Sequence, residues 1–250
     1  MALPAFAHNP LTGSGQERVA GVLSALLLLG FWLMYCRGSL RVRPALTKAL
    51  TFHLTFLLCV LTILGPLDDL AQTSTAAHMA QHMLMIVVIA PLWVLSQPLP
   101  QVSAGGARSV SLLWQAALRL ARYPMFAAYL HGAVIWIWHM PFFYMLAVDN
   151  PWWHGLEHAF FLLTAGIFWW AVMRSSADNF PAAVMALLFT LMHTGFLGAL
   201  LSFSKAPVYG ESRGVADQQL AGLIMWVAGS GPYLLGLGWM LRRWYLRQPA

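Results

Sequence analysis

Charged side chains are scarce in this sequence. Asp, Glu, Lys and Arg make up 9% of the 250 residues, whereas hydrophobic residues make up 60%. A water-soluble core at this length cannot hide that much apolar surface, so a soluble fold is excluded. The apolar residues fall into repeated runs of about 20 residues, the length that spans a bilayer as an α-helix.

Cysteine is nearly absent as well. The chain has two, Cys36 and Cys59, which lie far apart in or beside apolar runs, and it contains no CxxC pair. This excludes a disulfide framework and a metal site built from thiolates. The stretch MALPAFAHNPLTGSGQE lacks the basic region of a cleavable signal peptide, so we expect the first apolar run to be retained as a membrane span.

The net charge of +6 does not indicate a nucleic-acid partner, because the basic residues are spread over short loops between apolar runs. The sequence predicts an all-α, polytopic integral membrane protein with one transmembrane domain over residues 1–250. Its seven-helix bundle has spans at about 19–36, 46–64, 77–97, 124–140, 154–173, 182–203 and 218–240.

The distribution of Lys and Arg predicts the orientation. With the N-terminus outside and the C-terminus inside, eleven basic residues fall on the inner side and three on the outer side. The inner ones are Arg37, Arg41, Arg43, Lys48, Arg108, Arg119, Arg122, Arg174, Arg242, Arg243 and Arg247, and the outer ones are Arg18, Lys205 and Arg213. The basic inner loop 98–123 includes a partly amphipathic stretch that either lies on the inner membrane surface or simply connects two spans.

On this topology, three spans deliver five histidines to the outer membrane face. His78 and His82 open the third span, His139 ends the fourth, and His154 and His158 open the fifth. Both pairs have i, i+4 spacing, so each pair lies on one helix face and can chelate a metal ion. Ionisable side chains are costly inside a bilayer, and the cluster therefore predicts a metal or haem site.

Other residues are candidates to orient or complete such a site. Glu157 is able to reach the same face as its flanking histidines, and Asp217 stands at the outer start of the seventh span, where it can also cap a helix. Met85 follows His78 by seven residues and is a candidate ligand one turn deeper than His82, while Met79 and Met83 are expected to pack elsewhere. His193 lies deep in the sixth span, where it either packs or supports the site.

Two other functions stay open from the residues alone. HGLEH at 154–158 matches the HxxEH frame in which two histidines bind zinc and the glutamate activates water, which would make the chain a membrane metalloprotease. Facing histidines also ligate haem in membrane cytochromes. The i, i+4 pairs fit a compact metal site better than a haem.

Three stretches together resemble the multi-span CtaG family of cytochrome c oxidase assembly factors: AHMAQHMLMIVVIAPLWVLSQPL, WHMPFFYMLAVDNPWWHGLEHAFFLLTAGIFWWAV and DQQLAGLIMWVAGSGPYLL. The resemblance runs from about residue 75 to 240. It implies a bacterial inner-membrane protein that helps to mature a haem–copper oxidase by handling copper. The positions that match the family's motifs are His78, His82, His139, His154, Glu157, His158, Asp217 and Gln218.

We therefore expect a copper-binding assembly factor, not an enzyme. The expected ligands are His78, His82, His154 and His158, with His139 as a fifth candidate, and zinc or haem are the alternatives to copper. The expected partners are a cytochrome c oxidase subunit or another copper chaperone, the lipid bilayer, and a second copy of the chain. Because a ligating imidazole must be neutral, low pH should weaken binding.

Overall fold

A computed structural model describes residues 15–210 and 213–246, and within those ranges the chain is all-helical. Arg247, one of the inner basic residues named above, lies outside the described ranges. The helices are α1 Gly15–Ser39, α2 Leu46–Leu64, α3 Pro66–Ala71, α4 Thr75–Ser96, α5 Leu99–Ala104, α6 Arg108–Ala117, α7 Pro124–Trp138, α8 Pro141–Asp149, α9 Pro151–Met173, α10 Phe180–Phe203 and α11 Val215–Tyr245. A 3-10 turn at Leu120–Arg122 precedes α7.

Six of these helices are long and apolar enough to cross a membrane: α1, α2, α4, α9, α10 and α11. The pair α7 and α8 also passes this test together, but its two members are bent by 71°. The predicted fourth span, 124–140, is therefore shorter than expected, since α7 ends at Trp138. Pro141 provides the reason, because a proline disfavours helical backbone at the residue before it.

The chain order divides the short elements between the two ends of the bundle. Helices α3 and α8 lie at the end where α4 and α9 begin, and α5 and α6 lie at the end where α4 stops. All five histidines of the predicted site therefore lie towards one end. We call it the histidine end, and we call the opposite end, which carries most of the arginines, the basic end.

Helices α4 and α9 form the centre of the bundle. Within their most apolar windows, 61% of α4 residues and 67% of α9 residues are buried, against 17% for α1 and 22% for α2. Helices α1 and α2 instead leave many large apolar side chains exposed, such as Leu27 and Leu54. This division gives α4 and α9 the buried position that a polar site requires, and leaves α1 and α2 facing lipid.

A π-helical stretch, Leu84–Ile89, interrupts α4 directly after His82. Pro91 lies just beyond it and has no backbone N–H to donate to the preceding turn. The indole Nε1 of Trp169 donates instead to the carbonyl oxygen of Ile86 at 2.8 Å. A side chain of α9 thus supplies the hydrogen bond that the Ile86 carbonyl group lacks within α4. This bond holds the two central helices side by side.

The basic segment between α4 and α7 contains a helix, α6, whose apolar side borders an open cleft. Val110, Leu113 and Trp114 line a cleft of about 530 Å³ together with residues of α1, α2, α4 and α9. Arg108 and Arg119, which flank this apolar side, are exposed. The amphipathic stretch of 98–123 therefore lies beside the basic end of the bundle, with Val110 49% and Leu113 72% exposed.

Close packing of α10 on α11 generates a prediction about stability. A methyl group added at Gly222 would lie 2.4 Å from the Gly198 carbonyl oxygen, whereas one added at Gly238 would meet nothing within 4 Å. We expect Gly222→Ala to destabilise the fold by about 1–3 kcal/mol through overpacking. Thermal unfolding in detergent measures this effect, with Gly238→Ala as the control. Equal melting temperatures for the two variants would contradict it.

Candidate metal centre

The start of α4 is capped from two directions. The hydroxyl oxygen of Ser74 accepts a hydrogen bond from the backbone N–H of Ala77, and the same hydroxyl donates to Oδ1 of Asp217 at 2.8 Å. The other carboxylate oxygen of Asp217 accepts a bond from the backbone N–H of Thr75. A carboxylate is well placed at a helix N-terminus, where unpaired N–H groups and the helix dipole attract negative charge. Asp217 of α11 thus fixes the first turn of α4, and His78 follows directly.

The start of α9 is fixed in a similar way. Oδ1 of Asn150 accepts hydrogen bonds from the backbone N–H groups of Trp152 at 2.9 Å and Trp153 at 3.4 Å. Pro151 occupies the first turn, where its missing N–H costs nothing. Because the helix begins here, His154, Glu157 and His158 fall in its first two turns at spacings of three and four residues, which place them on one face.

Glu157 is the residue that joins the two helices. Its Oε2 lies 3.5 Å from Nε2 of His78 and 3.4 Å from Nε2 of His82. Each of the three side chains is at most 1% exposed. One carboxylate oxygen of α9 therefore stands between the two imidazoles of α4, fully removed from solvent.

His154 completes a group of four buried residues with these three. Each of them offers one ligand atom, and all four atoms lie within 4.8 Å of one another. The His154 ring stacks on the His78 ring with centroids 5.2 Å apart and an interplanar angle of 12°. Side chains from two helices thus bring their ligand atoms together in one small buried region.

The centre also contains a residue that the sequence did not predict. Asp68 of α3 is 1% exposed and forms a second group of potential ligands with His154 and His158. Gln81 holds this carboxylate, because its Nε2 donates to Oδ1 of Asp68 at 2.6 Å and to the carbonyl oxygen of Thr62 at 2.9 Å. The available signal was the GPLDDL turn, which folds back as α3 directly before the histidine helix.

His139 lies at the bend between α7 and α8, beside the centre. Its ring is 6.1 Å from the His82 ring, and it belongs to neither group of mutually close ligand atoms. Nδ1 of His139 donates to the carbonyl oxygen of Ile135 at 2.7 Å, an arrangement that leaves Nε2 as the nitrogen with a lone pair. Burial raises the pKa of Tyr209, so its hydroxyl stays protonated and donates to the His139 carbonyl at 3.3 Å.

Tyr144 and Arg213 cover the centre at the histidine end. The Tyr144 ring lies 4.9 Å from the His78 ring and stacks on Tyr209 at 3.8 Å. Arg213 donates to the Tyr144 hydroxyl at 2.9 Å and to the carbonyl oxygen of Gln72. These contacts tie α8 and the segment before α11 to the turn that precedes α4, and they separate the ligands from solvent.

The structure places three other residues of the sequence prediction away from the centre. Met85 packs against Cys59 and Ile89 in a cluster between α4 and α2, which corrects its assignment as a ligand. Met85 lies one turn deeper in α4 than His82, where apolar side chains of α2 and α4 surround it. Met79 and Met83 pack in the main core, as expected.

His193 and Gln218 also lie away from the metal centre. The His193 ring packs against Phe189 and against the backbone of α7, where a methyl group at Gly132 would lie 2.9 Å from its Nε2, so it does not support the cluster. Oε1 of Gln218 accepts a bond from the backbone N–H of Val208 at 2.7 Å and thereby fixes the loop before α11.

The donor set fits a borderline transition metal. Within the described chain, no hydrogen bond satisfies the ring nitrogens of His78 and His82 or the carboxylate oxygens of Glu157. Buried polar atoms are nearly always paired, so unpaired ones that converge on one volume indicate a ligand. Imidazole with carboxylate suits copper, zinc, iron or nickel, and neither group of potential ligands in the described residues includes a sulfur atom.

The cap on α4 generates a prediction about metal affinity. In Asp217→Asn, the carboxylate that accepts bonds from Ser74 and Thr75 is replaced by an amide with one acceptor oxygen. We expect a loss of stability of about 1–2 kcal/mol and weaker metal binding, because the histidine turn is less well fixed. Thermal unfolding and metal titration measure both effects. The exposed Asp149 provides the control variant Asp149→Asn, and unchanged values for Asp217→Asn would contradict the prediction.

Comparisons with known protein families identify the chain. Residues 26–247 match the cytochrome c oxidase caa3 assembly factor family, Caa3_CtaG, which covers nearly the whole chain and confirms the resemblance found in the sequence. No curated protein and no solved structure matches the chain. The histidine pairs and Asp217 all lie inside the matched region. The chain therefore belongs to the caa3-type cytochrome c oxidase assembly factor family.

Proposed function

We propose that this protein binds copper at the buried histidine–glutamate centre and passes it to a cytochrome c oxidase during assembly. One observation carries the proposal: an assembly-factor chain encloses His78, His82, His154 and Glu157 with their ligand atoms within 4.8 Å of one another. Membership of the family indicates a role in oxidase assembly, and the centre offers ligands for the copper that an oxidase needs. Imidazole ligands bind copper in both common oxidation states, and ligand exchange would set its release.

The position of Glu157 favours a carrier over a metalloprotease. In the HxxEH mechanism the histidines that flank the glutamate bind zinc, and the glutamate activates a water molecule. Here the glutamate of α9 stands instead between the two histidines of α4, at 3.5 and 3.4 Å, where it acts as a ligand. Tyr144 also covers the centre, which leaves a peptide substrate little access.

The same contact argues against haem. Two axial histidines must face each other across a flat macrocycle, and nothing else occupies the gap between them. The His78 and His82 rings come from one helix with centroids 4.2 Å apart, and Glu157 fills the space in front of both. The arrangement suits small metal ions and not a flat macrocycle.

We further propose seven spans, counting the bent pair α7 and α8 as one, in a bacterial inner membrane with the N-terminus outside. The excess of arginine and lysine at the basic end supports this orientation. It places the metal centre near the outer face, on the side from which extracytoplasmic copper arrives.

A metal-content experiment tests the copper proposal. We expect His78→Ala/His82→Ala to lose the copper that these two histidines hold and Glu157→Gln to bind that copper at least about tenfold more weakly, since each variant removes a ligand. Both should lower oxidase activity in membranes of a strain whose own copy is deleted. The control is His53→Ala, because His53 is exposed and accepts a hydrogen bond from Trp32.

Elemental analysis and a visible spectrum of the purified proteins are the measurements. Full copper content in the double variant would disprove the site, and a haem absorption band in the wild type would favour a cytochrome. A hydrolytic activity that Glu157→Gln abolishes while the metal is retained would favour the protease.

A cysteine-labelling experiment tests the orientation. In a chain that lacks Cys36 and Cys59, Asp149→Cys would stand at the histidine end and Asp178→Cys at the basic end, and both positions are exposed. We expect a membrane-impermeant thiol reagent to label position 149 in intact spheroplasts, and position 178 only after lysis. The reverse pattern would invert the topology.

A further inference from the structure

In each of the helices α4 and α9, the polar residue before the second histidine points towards the histidines of the other helix or towards a carboxylate beside them. HMAQH of α4 and HGLEH of α9 each carry a polar side chain directly before their second histidine. Glu157 of α9 contacts the two histidines of α4, at 3.5 and 3.4 Å. Gln81 of α4 donates to Asp68 at 2.6 Å, and this carboxylate lies beside the histidines of α9. Each histidine pair therefore faces a carboxylate that does not belong to its own helix.

The result is two similar sets of donors. The first set, which we call the α4 half-site, is His78, His82 and Glu157. The second, the α9 half-site, is His154, His158 and Asp68, where Nδ1 of His154 lies 4.0 Å from Oδ1 of Asp68. Each half-site contains two imidazoles at i, i+4 spacing and one carboxylate. This composition by itself binds borderline divalent metals.

We propose that the centre holds two metal ions, one in each half-site. This inference rests on the proposed metal-binding function and extends it to the number of ions. The ligand atom of His154 lies within reach of both sets, but a neutral imidazole has one lone pair and ligates one ion at a time. With His154 assigned to the α9 half-site, each half-site keeps three ligands of its own.

Charge balance supports two ions over one. A buried cation is costly unless a buried anion lies next to it. The centre contains two carboxylates, Glu157 and Asp68, and each is at most 1% exposed. The two carboxylates belong to different groups of mutually close ligand atoms, Glu157 with the histidines of α4 and Asp68 with the histidines of α9. One ion in each half-site gives every ion its own carboxylate.

Metal stoichiometry of the full-length protein in detergent tests this proposal. The protein is equilibrated with excess Cu(II), desalted, and analysed for copper per chain. We expect about two ions for the wild type and about one each for His78→Ala/His82→Ala and Asp68→Asn/His158→Ala. The matched control is Asp69→Asn, because Asp69 neighbours Asp68 in α3 but belongs to neither half-site, and it should keep both ions.

Electron paramagnetic resonance of the Cu(II)-loaded protein provides a second readout that needs no variant. Two Cu(II) ions a few ångströms apart couple magnetically, so the wild type should lose the spectrum of an isolated ion. Each single-half-site variant should regain it. This keeps the proposal testable if a variant fails to fold.

The outcomes separate this inference from the proposed function. One ion in the wild type with an isolated Cu(II) spectrum, abolished by variants of either half-site, would overturn the two-ion centre and leave copper binding intact. No bound metal in the wild type would overturn both.

Discussion

The contact of the Glu157 carboxylate with His78 and His82 is the interaction on which the arrangement of the bundle depends. It places an acid from α9 between two bases from α4 at 3.5 and 3.4 Å, in the interior of a membrane protein. Ionisable groups are costly to bury alone, and their burial becomes affordable in free energy only when they pair with one another or surround a cation. The two most buried helices are therefore brought together by a polar requirement, and the apolar core packs around it.

The neighbouring elements serve to hold these two helices in place. Asp217 caps α4 from α11, Trp169 of α9 satisfies the π-helical turn of α4, and Arg213 ties the outer turns to Tyr144. Each of these bonds joins segments that are far apart in sequence. Helices α1 and α2 contribute less to the centre, and their exposed leucines belong to the lipid boundary.

Membership of the oxidase assembly family and the ligands of the centre both support the proposal that the protein carries a metal. An assembly factor that carries a metal must hold the ion firmly enough to exclude water and loosely enough to release it. Imidazole and carboxylate donors meet this need, since they exchange more readily than a cage of thiolates and still select transition metals. Tyr144 and Arg213 lie between the ligands and the histidine end. An ion would have to pass them to leave the centre, and a partner that accepts the ion would have to dock beside them.

The sequence alone determined the class of the protein and most of the centre. Low charge and long apolar runs predicted helical membrane spans, and the i, i+4 spacing predicted two histidine pairs, because both features depend on local geometry. Only the tertiary structure decided the rest. Asp68 joins the centre because α3 folds back and Gln81 holds it, and Asp217 caps a helix that is not its own. Met85 packs against Cys59 of α2 because α2 covers α4 one turn below the histidines, and the periodicity of α4 alone does not show which helix covers that turn. Contacts between distant segments and irregular turns are set by packing, and no periodicity in the chain encodes them.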